Sequence, residues 1–161
     1  MTLRSIDQLP SLDAALQSAL AGESACIYAY GLIGAQLGAD ERRAAATALD
    51  DHSIARDRIR RELTTLKVTP NPGAAAYDPP IAVTNATGAR KLAALVEDRM
   101  ALVWADVVAS ARAAGSDAIT ELAAAAVATC AVRAARWSGT TEAFPGLASA
   151  PVASPTSSPS S

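Results

Sequence analysis

The sequence predicts an all-α four-helix bundle, and three observations lead to this fold class. Roughly a quarter of the 161 residues are alanine and only 4% are aromatic, a mixture that favours helix over sheet. Apolar residues recur at spacings of three and four over four long stretches. A proline-rich segment separates these stretches into two pairs. We expect one domain, residues 1–147, followed by a disordered Pro- and Ser-rich tail, residues 148–161.

The first two helices are predicted on either side of a short turn. Helix one is expected from Leu12 to Leu37, with Ser11 as its N-cap and Gly38 at its exit. Its inner stripe is Leu12, Leu16, Ala19, Glu23, Cys26, Tyr30, Ile33 and Leu37. Helix two is expected from Glu41 to Lys67, with Asp40 as its cap. Its inner stripe is Ala45, Leu49, His52, Ala55, Ile59, Leu63 and Leu66.

The last two helices are predicted in the same way. Thr84 is expected to cap helix three, from Asn85 to Ala114, and its wide apolar face indicates deep burial. The centre of that face is Ala89, Leu92, Val96, Val103 and Val107. Gly115 ends this helix, and Ser116 is expected to cap helix four, which continues to about Ser138. The expected inner face of helix four is Ile119, Leu122, Ala126, Thr129, Arg133 and Trp137.

The connector from Val68 to Val83 selects the topology. Its prolines prevent it from continuing a helix, and about sixteen extended residues reach about 50 Å. A helix of about 26 residues is about 39 Å long, so the connector can cross the whole bundle. The short turns make helices one and two, and three and four, antiparallel hairpins. We therefore expect a long crossover between parallel helices two and three, as in ferritin-like bundles.

Four phrases carry a resemblance to a known family. They are GESACIYAYGLIGAQLG, DDHSIARDRIR, RKLAALVEDRMALVWADVV and AVRAARWSGTTEAFPG, in that order. Together they resemble an actinobacterial ferritin-like family whose members have no assigned function. The resemblance covers nearly everything from Ala14 to Leu147, and it implies the fold but no activity.

The metal ligands of a di-iron bundle are mostly missing. Such a bundle supplies one Glu from each of two helices and a Glu-x-x-His pair from each of the other two. This chain has one histidine, and Leu49 stands three residues before His52, where the pair requires Glu. The remaining candidate ligands are Glu23, His52 and either Glu97 or Asp98. In the alternative interpretation, Glu97 and Asp98 are surface carboxylates and His52 is a hydrogen-bonded core residue.

A buried polar cluster is the second hypothesis about this region. The inner stripes of three helices each carry one polar residue, namely Glu23, His52 and Arg133. Glu23 and His52 lie at similar depths in their helices. We expect the Glu23 carboxylate to be held by Arg133, His52 or both, in the space that a metal pair fills in functional relatives. In the alternative, Arg133 points to solvent and Glu23 bonds to Tyr30 or water.

Charge and motifs exclude several classes of function. A net charge of -2 and a pI near 5.3 disfavour nucleic acid as a partner, and no basic face beside an apolar run indicates a membrane surface. The sequence has no phosphate-binding glycine loop and no nucleophile motif of a hydrolase. The N-terminal residues do not have the pattern of a signal peptide, and Cys26 and Cys130 are expected to be reduced core residues. These features predict a cytoplasmic protein.

The sequence favours a non-enzymatic structural or interaction module that has lost the di-iron site and needs no cofactor. The alternative is a carboxylate protein that binds iron or manganese through a reduced or intersubunit site. A third hypothesis is a small-molecule binder with a cleft between alanine-lined helices. Homo-oligomerisation through helix faces stays open, and the sequence does not identify a protein partner.

Overall fold

The structure is a computed structural model that describes residues 9–73 and 77–139. This part of the chain folds into four α-helices and contains no strand: α1 (Leu12–Gly34), α2 (Ala39–Thr65), α3 (Ala86–Ala113) and α4 (Asp117–Ser138). The predicted all-α four-helix fold class is therefore confirmed. The expected tail, residues 148–161, lies outside the described residues.

Two helix caps differ from the sequence prediction. The N-cap of α2 is Gly38. Asp40 lies in the first helical turn, where the positive end of the helix dipole stabilises its carboxylate. The N-cap of α3 is Asn85 rather than Thr84, because the Asn85 side chain accepts a hydrogen bond of 2.9 Å from the Gly88 N–H. Ser11 and Ser116 occupy the N-cap positions of α1 and α4, as expected.

Side-chain contacts give the directions of the helices. Ser110, near the end of α3, donates to the carbonyl of Pro10, just before α1, so these helices run antiparallel. Arg90 and Glu41, near the starts of α3 and α2, form an ion pair of 2.6 Å, so these two helices run parallel. Extensive helix packing joins α1 to α2, α1 to α3 and α3 to α4. The predicted crossover topology is confirmed.

The connector between α2 and α3 crosses the bundle along α1. Near its start, the Gln17 side chain donates to the Thr69 carbonyl at 2.8 Å and accepts from the Asn71 N–H at 2.9 Å. Farther along, the Tyr77 ring packs against the Tyr28 ring, with 5.8 Å between their centroids. These contacts hold the crossover beside α1 and bring the chain to the start of α3.

The buried face of α4 differs from the expected one. The buried residues of α4 are Ile119, Ala123, Cys130 and Ala134. Thr129 is exposed, and Leu122 and Arg133 are half-buried. The inner face is thus rotated from the predicted stripe by less than the roughly 100° of one residue, since Ile119 belongs to both while Cys130 and Ala134 replace Thr129 and Arg133. Because α4 carries alanine on several faces, its sequence pattern did not distinguish these orientations, and packing against α3 selects one of them.

Within the described residues, α4 alone is long and apolar enough to meet the criteria for crossing a membrane, with a mean hydropathy of 1.4. Core helices of soluble proteins meet the same criteria, so this is weak evidence for a membrane span. Only 22% of its apolar window is buried inside the structure. The described fold therefore leaves much of an apolar helix uncovered.

Candidate functional site

Three buried polar side chains meet in the middle of the bundle. Glu23 of α1, His52 of α2 and Glu97 of α3 are 1%, 2% and 0% exposed, respectively. His52 Nδ1 lies 2.6 Å from Glu23 Oε2, and His52 Nε2 lies 3.2 Å from Glu97 Oε1. Both ring nitrogens of the histidine therefore face a carboxylate. The structure brings together the three candidate ligands Glu23, His52 and Glu97 that the sequence offered, and it leaves Asp98 exposed.

Aromatic side chains provide further hydrogen bonds to both carboxylates. Trp104 Nε1 donates to Glu23 Oε1 at 2.8 Å, and the Tyr30 hydroxyl donates to Glu97 Oε1 at 2.6 Å. Trp137 Nε1 of α4 in turn donates to the Tyr30 hydroxyl at 3.0 Å. One continuous polar network thus joins all four helices through the apolar core. We call this set the buried network; its members are Glu23, Tyr30, His52, Glu97, Trp104 and Trp137.

The charge of His52 follows from its surroundings. Burial alone would lower the pKa of His52, but hydrogen bonds and charge attraction from Glu23 and Glu97 outweigh burial and raise the pKa to about 9. The histidine is consequently a cation at neutral pH. Each of its two N–H groups can then donate to a carboxylate.

Two thiols and a phenol near the buried network are held neutral. Burial raises the pKa of the Cys26 and Cys130 thiols, and the nearby carboxylates raise it further. Burial and the Glu97 carboxylate also raise the pKa of the Tyr30 phenol. Because a thiol attacks substrates as the thiolate, neither cysteine is prepared to act as a nucleophile.

Arg133 does not contact Glu23, which differs from the expected cluster. Its guanidinium forms an ion pair with Asp51, and its second terminal nitrogen lies 3.9 Å from Glu97 Oε1. The Arg133 side chain is 15% exposed. The rotation of α4 explains this position, because it moves Arg133 from the centre of the inner face to its edge, beside α2.

The structure also distinguishes the two acids of α3. Glu97 is fully buried, whereas Asp98 is exposed, so the surface interpretation holds for Asp98 and is wrong for Glu97. The sequence offered Tyr30 as a partner of Glu23, whereas Tyr30 donates to Glu97, and the role of Trp104 as the donor to Glu23 was missed. The spacing of these two aromatic residues from the carboxylates along the chain is a signal for the hydrogen bonds.

That signal is a repeated interval of seven residues. Tyr30 follows Glu23 by seven positions on α1, and Trp104 follows Glu97 by seven on α3. Seven residues are about two helical turns, so each aromatic shares a face with the carboxylate of its own helix. Because α1 and α3 are antiparallel, each aromatic meets the carboxylate of the opposite helix.

The crossover topology and the central polar residues define a ferritin-like four-helix bundle, and solved structures support this class. A ferritin-like diiron-carboxylate protein from Bacillus anthracis superposes with a TM-score of 0.70 at 13% identity, covering 86% of this chain and 98% of that chain. A Dps mutant from Listeria innocua gives 0.71 at 10% identity, covering 87% and 98%. At these identities the likeness establishes the fold alone.

The chain belongs to the family described as "Domain of unknown function (DUF4439)", whose model matches residues 15–149. It is similar to a conserved hypothetical protein from Mycobacterium tuberculosis, with 35% identity and a TM-score of 0.74. That alignment covers 80% of this chain and 96% of the mycobacterial chain. No curated protein sequence matches the chain.

The buried network does not fit a di-iron centre. Such a centre needs four carboxylates and two imidazoles, whereas the network contains two carboxylates and one imidazole. Both Glu23 oxygens already accept hydrogen bonds, and both His52 nitrogens face carboxylates. In the described part of the chain, no group of three or more His, Cys, Asp and Glu side chains is arranged to hold a metal ion. The one buried carboxylate oxygen without a hydrogen-bond partner there is Oε2 of Glu97.

Proposed function

We propose that this chain is a ferritin-like bundle in which the buried network has replaced the di-iron centre, and that it serves as a structural or interaction module. The position of His52 between Glu23 and Glu97 carries this proposal. A charged imidazole supplies positive charge between two carboxylates, which is the electrostatic role of a metal ion in that space. The network therefore stabilises the bundle without a cofactor.

The energetic argument concerns buried charge. Removing one partner of a buried ion pair leaves the other uncompensated and costs roughly 3–5 kcal/mol. In the network, two carboxylates are balanced by the His52 imidazolium and by Arg133 at its edge. Loss of this balance would destabilise the fold, so the same residues specify how the four alanine-rich helices assemble.

Access to the network argues against catalysis. Its two acids and its histidine are at most 2% exposed, so a substrate cannot reach them in this conformation. Cys26 and Cys130 are buried free thiols, and a reducing compartment maintains thiols in that state. A cytoplasmic location is therefore part of the proposal.

A reduced metal site is the second candidate function. The unpartnered Oε2 of Glu97 favours it, because a buried carboxylate oxygen normally has a donor or a cation nearby. A single iron or manganese ion would have to displace the His52 proton or recruit ligands from another subunit. This candidate makes a different prediction about metal content.

Metal analysis of the full-length protein, purified from its own host, tests the two candidates. We expect less than one equivalent of iron or manganese per chain, no ferroxidase activity, and a melting temperature that does not rise when Mn²⁺ or anaerobic Fe²⁺ is added. One equivalent that raises the melting temperature, and is lost in Glu97→Gln, would support the reduced site. About two metals per chain, lost in Glu23→Ala, would overturn both candidates.

A further inference from the structure

One side of the bundle is open. Extensive packing joins α1 to α2, α1 to α3 and α3 to α4, whereas α2 and α4 are not joined in this way. Between them lies a cleft of about 870 Å³, which we call the α2–α4 cleft. Its walls include Asp40, Thr47 and Asp51 of α2, and Val132, Arg136 and Trp137 of α4.

The α4 wall of the cleft is apolar and exposed. The sequence of α4 contains no charged residue between Glu121 and Arg133, and Val132 is 51% exposed. The part of this segment that lines the cleft is Ala128, Thr129 and Val132, so this wall offers small, mostly apolar side chains beside Arg133 and Arg136. The Arg133–Asp51 ion pair bridges the cleft but leaves this wall uncovered.

The charged residues on the two walls of the cleft have opposite signs. The acidic residues that line the cleft, Asp40, Glu41 and Asp51, all belong to α2, and the basic ones, Arg133 and Arg136, belong to α4. Asp40 is 90% exposed, and Arg136 makes no ion pair with any residue in the described ranges. All three acids already pair within the chain, Asp40 with Arg43, Glu41 with Arg90 and Asp51 with Arg133. These pairs are partly exposed and can exchange partners, and the Arg136 guanidinium can donate to a carboxylate of another copy.

We infer that a second copy of this chain covers the α2–α4 cleft, with α4 of each copy packed against α2 of the other. This inference rests on the proposed function as an interaction module and names its partner. Each copy supplies an acidic wall and a basic wall, so two copies that face each other are electrostatically self-complementary. A two-fold dimer interface buries the same patch on both copies, so that patch must be complementary to itself.

The charge pattern also selects the symmetry axis. Because α2 and α4 run antiparallel, Asp40 and Arg136 lie at the same end of the cleft. A two-fold axis parallel to the helices keeps these ends level and places Asp40 of one copy opposite Arg136 of the other. An axis across the helices would instead oppose α2 to α2 and place acidic walls against each other, which is unfavourable.

Sedimentation velocity of the full-length protein over a wide concentration range tests the dimer. We expect Val132→Glu to raise the dimer Kd by roughly tenfold or more, because it places an acid where two copies meet. The matched control is Leu102→Glu on α3, since Leu102 is 48% exposed and lies outside the cleft. It should change the Kd by less than about twofold. Circular dichroism melts check that both variants fold.

Charge reversal tests the axis. Arg136→Glu alone and Asp40→Arg alone should each weaken the dimer, and the double variant should restore it, because the pair is reversed at both symmetry-related positions. A wild-type monomer at all concentrations, equal effects of Val132→Glu and Leu102→Glu, or no restoration would overturn the inference. A monomer would show that a second copy does not cover the cleft, and residues 140–161 or a different protein would then be the occupants to test. These outcomes are independent of metal content, which tests the proposed function.

Discussion

His52 Nδ1 of α2 lies 2.6 Å from Glu23 Oε2 of α1, and both side chains are almost completely buried. This contact joins the middles of two helices whose inner faces mix alanines with larger residues such as Leu16 and Ile59. The alanine positions alone would fit one another in several registers, because they lack large side chains that interdigitate. A buried polar pair removes that freedom, since any other register would leave both charges without a partner.

The first prediction is a loss of stability with rising pH. The pKa of His52 is raised from 6.5 to about 9, so its contribution is complete below about pH 6.5 and disappears as the pH rises through about 9. The full effect is on the order of 3 kcal/mol of unfolding free energy. Urea denaturation at a series of pH values measures it.

The control for this experiment is the neutral triple variant Glu23→Gln, His52→Gln and Glu97→Gln. Cys26 and Cys130 also lower stability at high pH, because their pKa values are raised in the fold and the unfolded thiols ionise above about pH 8.5. The triple variant retains both thiols and loses the imidazole together with the two carboxylates, which without the His52 cation would themselves make stability depend on pH. Its stability should therefore be flat between about pH 6.5 and 8, where the wild type declines. Parallel curves would contradict the assigned charge of His52.

The second prediction concerns the Tyr30 hydroxyl. Tyr30→Phe removes a donor to Glu97 and an acceptor for Trp137, while it keeps the buried ring. Because the Glu97 carboxylate is fully buried, the loss should destabilise the protein by about 1–3 kcal/mol in chemical denaturation.

Tyr28→Phe is the matched control for this change, on the same helix. Tyr28 is 40% exposed, and its ring contact with Tyr77 does not need the hydroxyl. Its effect should stay within about 0.5 kcal/mol. Similar losses in the two variants would mean that the hydrogen bond to Glu97 contributes little.

Much of the fold could be predicted from the sequence, because helix spacing and connector length are local properties. The stripe of α1 was predicted well, and of its members only Leu12 is not fully buried. Helix ends were harder, since Thr84 and Asn85 are both good caps and only the backbone geometry decides between them. The face of α4 could not be chosen, because its alanines give several nearly equivalent apolar stripes.

The candidate site was less predictable, because it depends on contacts between helices. Similar depth in two antiparallel helices was enough to suggest that Glu23 and His52 are neighbours. The position of Arg133 depended on the rotation of α4, which the sequence does not specify. Glu97 and Asp98 are adjacent, and one residue of helical rotation separates a fully buried carboxylate from an exposed one.

The third prediction concerns the end of the crossover. A Cβ atom at Gly88 would lie 2.6 Å from the backbone oxygen of Ala82, which cannot move as a flexible side chain does. Gly88→Ala should therefore destabilise the protein and disturb the start of α3. Gly31→Ala is the control, because a Cβ there, in the last turn of α1, meets nothing within 4 Å. It should stabilise by up to about 1 kcal/mol through helix propensity. Thermal melts of the two variants should shift in opposite directions, and shifts of the same sign would refute the close approach.

The last prediction separates the two partners proposed for Glu23. His52→Leu alone leaves the Glu23 carboxylate buried without its cation, at a cost of roughly 3–5 kcal/mol. Glu23→Leu alone removes one of the two carboxylates that face His52, and the double variant no longer contains the uncompensated Glu23 charge. The two losses should therefore be strongly non-additive, with a coupling energy of about 2 kcal/mol.

Glu23→Leu with Arg133→Leu provides the comparison cycle. Arg133 bonds to Asp51 and approaches Glu97, and it has no contact with Glu23, so these losses should add within about 0.5 kcal/mol. A Glu23 carboxylate held by Arg133, as the sequence-based cluster allowed, would instead make these two losses strongly non-additive. Urea denaturation of the wild type, the three single variants and the two double variants decides between the two predictions. Coupling confined to Glu23 and His52 would assign the charge balance of the core to the histidine, whereas coupling to Arg133 would restore the original cluster.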